Sequence, residues 1–221
     1  MKIFFSILFF YLIHSFNVFA DFKITNYKDY KISKKNYKLT EVLKGLNNPW
    51  GMTFIDEENL LVTEKKGKLY KININKKVKQ EINHNLQIIA SRQGGLLDIL
   101  YYDGYVYFSY SHKLKNNFSS TAIARGNLIN NSIKNLEVIF IANPKIKYSD
   151  VHFGSRIAIK DNYLFASIGE RGKGMIAQDP KQHPGSIIRI KLDGTSPKNN
   201  PHYVSQETWL PEIYQIGVRN P

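Results

Sequence analysis

The chain has no cysteine among its 221 residues. That removes cysteine nucleophiles, iron–sulfur clusters, disulfide frameworks and thiolate zinc sites together. It is poor in arginine, with six among its 31 basic residues, and poor in acid, with 18 Asp and Glu. The formal net charge of +13 is therefore almost all lysine. Lysine in excess beside abundant asparagine reads as compositional drift, so charge alone is a weak pointer to nucleic acid. His14 falls in the first twenty residues; His84, His112, His183 and His202 lie in polar or turn contexts without metal-ligand spacing. No amphipathic stretch of helical length stands out. The strongest competitor, Ile82–Ala90, is short and lacks a capping box. Beyond the first twenty residues nothing is long and apolar enough to span a bilayer.

What is present begins with a leader. Residues 1–20, MKIFFSILFFYLIHSFNVFA, carry Lys2, an apolar run from Ile3 to Ile13, and Val18-Phe19-Ala20 before Asp21. This is the pattern of a cleavable signal peptide, and the run is short of the roughly 20 residues a spanning helix needs. The expectation is an exported, periplasmic or secreted protein, with no stable membrane insertion and no nucleic-acid partner. Residues 21–37 form a polar, lysine-rich lead-in.

After that the chain is a succession of short strand-like runs. Trp50–Ile55, Leu60–Glu64 and Leu69–Ile74 make one group; Leu96–Leu100, Tyr105–Tyr110 and Thr121–Leu128 a second; Ser155–Ile159, Tyr163–Ile168 and Ser186–Leu192 a third. In each group the first two strands flank a tight turn: DEEN at 56–59, YDG at 102–104, KDN at 160–162. Gly51, Gly95 and Gly154 lead the groups. Repeated all-strand units of this size read as blades of a β-propeller, with a β-sandwich as the alternative. The final PEIYQIGVRNP reads as the start of a further strand, so the chain holds about three and a half blades and looks cut short.

Ten strings, in order, carry a resemblance. They are NPWGMTF (48–54), LLVTEKKGKLY (60–70), RQGGLLDI (92–99), VYFSYS (106–111), TAIARGNL (121–128), HFGSRIAI (152–159), IGERG (168–172), AQD (177–179), GSIIRIKLDG (185–194) and PEIYQIGVRNP (211–221). The similarity covers about residues 38–221, which resemble the glucose/sorbosone dehydrogenase family, in particular the soluble aldose sugar dehydrogenases that use pyrroloquinoline quinone (PQQ). The resemblance implies an all-β, six-bladed propeller, incomplete in this chain. It implies oxidation of an aldose at C1 to the lactone, with a periplasmic electron acceptor reoxidising the cofactor.

By position in these strings, His152 falls on the family's general base, and a near-neutral imidazole suits that work. Glu170 falls on the acidic residue that supports the histidine. Gln93 falls on an amide at the pocket rim that hydrogen-bonds cofactor or sugar. Arg219 and Asn220 fall on the pair that grips the quinone oxygens, where a cation stabilises developing charge. The resemblance also implies calcium, with ligands expected beyond residue 221. The position before His152 is Val151, where the family often carries a polar residue; Asp150 stands one step further away. Sugar selectivity is expected in loops near Asn116 and residues 198–200. All six arginines fall inside the strings, and Arg125, Arg156 and Arg189 read as braces of inter-blade loops. Asp98 reads as structural. Two rivals stay open, a non-catalytic binding propeller and a metal-dependent propeller lactonase, though no converging set of Asp, Glu and Asn for the latter is visible. The 221-residue chain alone is expected to be inactive.

Overall fold

The computed structural model describes residues 40–204 and 208–221. The leader at 1–20 and the lead-in at 21–37 lie outside the described residues. The described part is all-β, three antiparallel sheets consistent with part of a β-propeller. Sheet 1 runs β1 (Pro49–Phe54), β2 (Asn59–Glu64), β3 (Leu69–Asn73) and β4 (Val78–Ile82). Sheet 2 runs β5 (Leu96–Tyr102), β6 (Tyr105–Lys113), β7 (Phe118–Ile129) and β8 (Ser132–Ile141), with the short β9 (Ile146–Lys147) against β7. Sheet 3 runs β10 (Gly154–Lys160), β11 (Tyr163–Ile168), β12 (Ser186–Lys191) and β13 (Ile213–Ile216). Among the described residues no helix is long and apolar enough to cross a membrane.

All nine strands read from sequence are present, and each sheet adds a fourth. β4 was hidden because four of its five residues are exposed, so no apolar alternation marks it. The strand expected at the C-terminal string is present as β13, but it pairs with β12 and completes sheet 3 instead of opening a fourth group, so the described residues hold three sheets rather than three and a half. Ile82–Ala90 is no helix: it leaves β4 as extended chain, bridging Asn83 to Ser132 and Ile88 to His112.

The first strand of every sheet is bulged at the same place. Register shifts between Pro49 and Met52, between Leu96 and Ile99, and between Gly154 and Ile157. A hydroxyl from the second strand fills each bulge: Gly51 N–H donates to Thr63 Oγ1 (2.9 Å), Asp98 N–H to Ser109 Oγ (3.0 Å) and Arg156 N–H to Ser167 Oγ (2.9 Å). Each hydroxyl then donates onward, Thr63 to Leu97 O (2.6 Å), Ser109 to Ser155 O (2.8 Å) and Ser167 to Pro221 O (3.0 Å). A hydroxyl at one register thus stitches each sheet to the chain that follows it. Contact here is close: a Cβ on Gly95 would lie 2.0 Å from Lys65 O.

Two of the three core clusters lie between sheets; the third, Leu60, Val62, Tyr70 and Ile72 of sheet 1, packs with Leu43, Leu46 and Ile74. Leu61 and Leu69 of sheet 1 pack on Leu96, Phe108, Tyr110 and Ala122 of sheet 2, all fully buried. Tyr107, Ile123 and Phe140 of sheet 2 pack on Leu164, Ile168, Ile188 and Ile190 of sheet 3. Each such aliphatic side chain contributes about 1.5–3 kcal/mol by leaving water. Asp98, read as structural, crosses the second junction: Oδ1 accepts from Arg156 (3.2 Å) and Oδ2 from Ile157 N–H (3.0 Å). The first strands of sheets 2 and 3 are thereby fixed together, and the turn just before β10 carries His152.

Candidate active site

The sequence 149–154 must leave β9 and enter β10 in a few residues, and it does so through a left-handed turn. His152 has φ +48°, a conformation that costs a non-glycine residue free energy and persists where its surroundings over-determine it. Those surroundings are visible on both sides of the residue. Its N–H donates to Gln93 Oε1 (2.8 Å), and its carbonyl accepts from Arg171 N–H (3.2 Å). Gly169 allows the approach, since a Cβ there would sit 2.1 Å from His152 O.

The ring of His152 is 14% exposed and its Nδ1 contacts Glu170 Oε1. Glu170 is buried at the end of β11, with Oε2 accepting from Gly174 N–H (2.9 Å). Burial pushes the carboxyl upward, but the Gly174 N–H, the His152 ring and the Lys173 N–H outweigh it and hold it below the usual glutamate value. An ionised carboxylate only accepts, so Nδ1 carries a proton, and in the neutral imidazole that makes Nε2 the accepting nitrogen.

The other expected residues gather around the same turn. Glu170 N–H donates to Arg219 O (2.8 Å), and Arg219 Nε lies 3.9 Å from Glu170 Oε1 with its side chain 79% exposed. Asn220 Oδ1 accepts from Gly154 N–H (3.0 Å). A cleft of about 270 Å³ is lined by Trp50, Lys65, Arg92, Gln93, Phe153, Gly154 and Asn220. His152 itself is not in this lining; the residues that hold its backbone are. Arg156 stacks over Trp50 at 4.1 Å. No carboxylate lines the cleft, while Lys65 and Arg92 do. Asp150 turns to the 91–93 segment, accepting from Ser91 Oγ (3.3 Å) and lying 3.7 Å from Arg92.

Sequence reasoning passed over three contributors. Arg171, next to Glu170 in the chain, turns inward to carbonyls of the 149–151 segment. Trp50 and Phe153 supply the aromatic walls. The confinement of all six arginines to the motif strings was the available signal for Arg171. Of the braces, Arg125 reaches Leu192 O (2.8 Å) and Arg156 reaches Asp98, whereas Arg189 braces its own 199–200 loop. Asn200, expected in a selectivity loop, is fully buried, and its amide is committed to Arg189 and Pro211. His183 does sit in a turn but is buried, with Nδ1 accepting from Asn143 N–H (2.9 Å) and Nε2 on Glu212 (3.2 Å). Among the described residues no group of three or more His, Cys, Asp or Glu could hold a metal.

Three repeated antiparallel sheets, stitched in order and carrying a carboxylate-backed histidine beside a cation-rimmed cleft, are consistent with part of a β-propeller. The chain belongs to the glucose/sorbosone dehydrogenase family, whose profile matches residues 46–221. Synechocystis slr1608, an uncharacterized protein, is 33% identical over 207 residues, covering 83% of this chain and 50% of that protein. A crystal structure of a glucose dehydrogenase superposes with a TM-score of 0.77 at 31% identity, over 82% of this chain and 55% of that one. The PQQ-bound aldose sugar dehydrogenase of Streptomyces coelicolor does so with a TM-score of 0.69 at 26% identity, over 82% and 54%. The chain spans about half the length of the curated relatives it matches.

Proposed function

We propose that this chain contributes the base-bearing part of a six-bladed, PQQ-dependent aldose dehydrogenase, exported through the segment 1–20, that oxidises the sugar's C1 to the lactone. The observation that carries the reading is the His152–Glu170 pair beside a cleft whose lining has cations, amides and aromatic rings but no carboxylate. That donor set fits an anionic, planar quinone. Bound there, PQQ supplies the electron sink, accepting the C1 hydride while the protein handles the proton.

The chain's residues divide the remaining work. His152 Nε2 takes the proton of the C1 hydroxyl, and Glu170 holds the tautomer and stabilises the imidazolium that forms. Gln93 and Asn220 use their amide oxygens on the His152 and Gly154 N–H groups, which leaves their NH2 ends as donors to cofactor or sugar. Arg219, well exposed beside Glu170, is a cation available to the quinone oxygens. Calcium is assigned no ligand among these residues, and no step depends on it here. A periplasmic acceptor closes the cycle.

The test is aldose-dependent dye reduction by the product of the complete reading frame, with PQQ and calcium added. His152→Asn should lower kcat by about 10²–10⁴-fold, the usual weight of a general base, and leave PQQ binding intact. Undiminished turnover in that variant overturns the assignment.

A further inference from the structure

We infer that Arg171 is the positioning residue that sets the base, clamping the backbone of the histidine turn from beneath; the inference rests on the reading of His152 as base. Arg171 is 2% exposed. Its Nε donates to Val151 O (3.1 Å), Nη1 to Ser119 O (3.3 Å), and Nη2 to Ser119 Oγ (2.8 Å) and Ser149 O. The guanidinium lies over the Phe153 ring, 3.7 Å from its centroid. The main chain joins in, with Arg171 N–H on His152 O (3.2 Å) and Ser149 Oγ on Arg171 O (2.9 Å). One residue therefore touches positions 149, 151, 152 and 153 of the turn.

Burial pulls this guanidinium down to about 10, which Asp150 partly offsets. No carboxylate is in ion-pair contact with it among the described residues. A buried cation committed to carbonyls is costly, and a planar fork with five donors is the side chain that can satisfy three carbonyls and a hydroxyl region at once. Lysine keeps the charge but neither the fork nor the stack. The neighbouring residue in the chain, Glu170, holds the imidazole itself. The pair Glu170–Arg171 thus fixes both the ring and the left-handed backbone beneath it, and the position of Nε2 follows from both.

The experiment follows His152 directly, on the 221-residue chain with ¹³C-labelled histidine. Its resonance is assigned by His152→Asn. The charged groups about the ring are Glu170 and Arg219, with Asp150, Arg92 and Arg171 across the turn, and all but Arg171 stay unchanged in Arg171→Lys. This variant should keep the sheet signature in circular dichroism yet shift and broaden the His152 resonance. Ser119→Ala, which removes one anchor of the fork without removing the cation, should shift the same resonance less. In the complete enzyme Arg171→Lys should lower kcat by up to about 10²-fold with KM nearly unchanged, as misplacement of a catalytic group does. If Arg171→Lys does not fold, the Ser119→Ala resonance decides. A His152 resonance identical to wild type, with only stability lowered, would make Arg171 a structural brace and overturn the inference. Failure of the dehydrogenase reading shows separately, as a wild-type enzyme without His152-dependent turnover whose His152 resonance still responds to these substitutions.

Discussion

Glu170 keeps its charge in a place where burial works against it, and the contacts that allow this are folded-state contacts. Because its carboxyl is held below the ordinary value, it contributes stability that is full above the unfolded glutamate pKa, about 4.3, and is lost as pH falls through the lower folded value. Glu170→Gln retains an acceptor for Nδ1–H and removes the charge. The stability gap between wild type and variant should therefore be widest near neutrality and close below about pH 4, read as melting temperature against pH. Glu212 and three surface aspartates are lowered in the same direction, so acid sensitivity persists in the variant and the difference between curves is the quantity to follow. A gap constant across that range would show that Glu170 is not ionised in the pair. The residues that meet at this site were reachable from sequence where a motif names them: His152, Glu170, Gln93, Arg219 and Asn220 all converge on one turn. Arg171 was not, because nothing in a string of letters shows whether an arginine beside a glutamate pairs with it or turns its back.

At the scale of the strand, the informative feature is the hydroxyl at Thr63, Ser109 and Ser167. It lies at the same register of the second strand in all three sheets, caps the bulge of the first strand and donates to the chain beyond. Ser109 is fully buried, so Ser109→Ala leaves both Asp98 N–H and Ser155 O short of a partner out of reach of water. The expected cost is about 2–3 kcal/mol, seen as a lower urea midpoint with an unchanged slope. A loss under about 0.5 kcal/mol, the level of an ordinary surface change, would mean the stitch is incidental. This spacing also explains what the sequence could disclose about the sheets. Inner strands announce themselves through buried runs such as Leu60–Glu64 and Val106–Ser111. The outer strand β4 has solvent against most of its side chains and left no periodic trace; it is held by ladder bonds to β3, which letters do not record.

For the whole molecule, the consequence of placing the two larger core clusters between sheets is that stability is a matter of neighbours. One apolar cluster joins sheets 1 and 2, another joins sheets 2 and 3, and sheet 2 belongs to both. Sheets 1 and 3 meet chiefly through single polar threads such as Arg156 to Trp50 O (3.5 Å). A chain built this way approaches a row of units coupled to their nearest neighbours, so damage should stay local before it becomes global. Leu61 and Leu164 are both fully buried, one in each cluster. Truncation of either to alanine should cost about 2–5 kcal/mol, but the two losses should fall in different places. In native-state hydrogen exchange Leu61→Ala should speed exchange in β2 and β3 more than in β11 and β12, and Leu164→Ala should do the reverse, with the 149–153 turn following sheet 3. Equal acceleration of all three sheets by both variants would show one cooperative unit instead, and the turn that holds His152 would then draw its rigidity from the entire chain rather than from the junction of sheets 2 and 3.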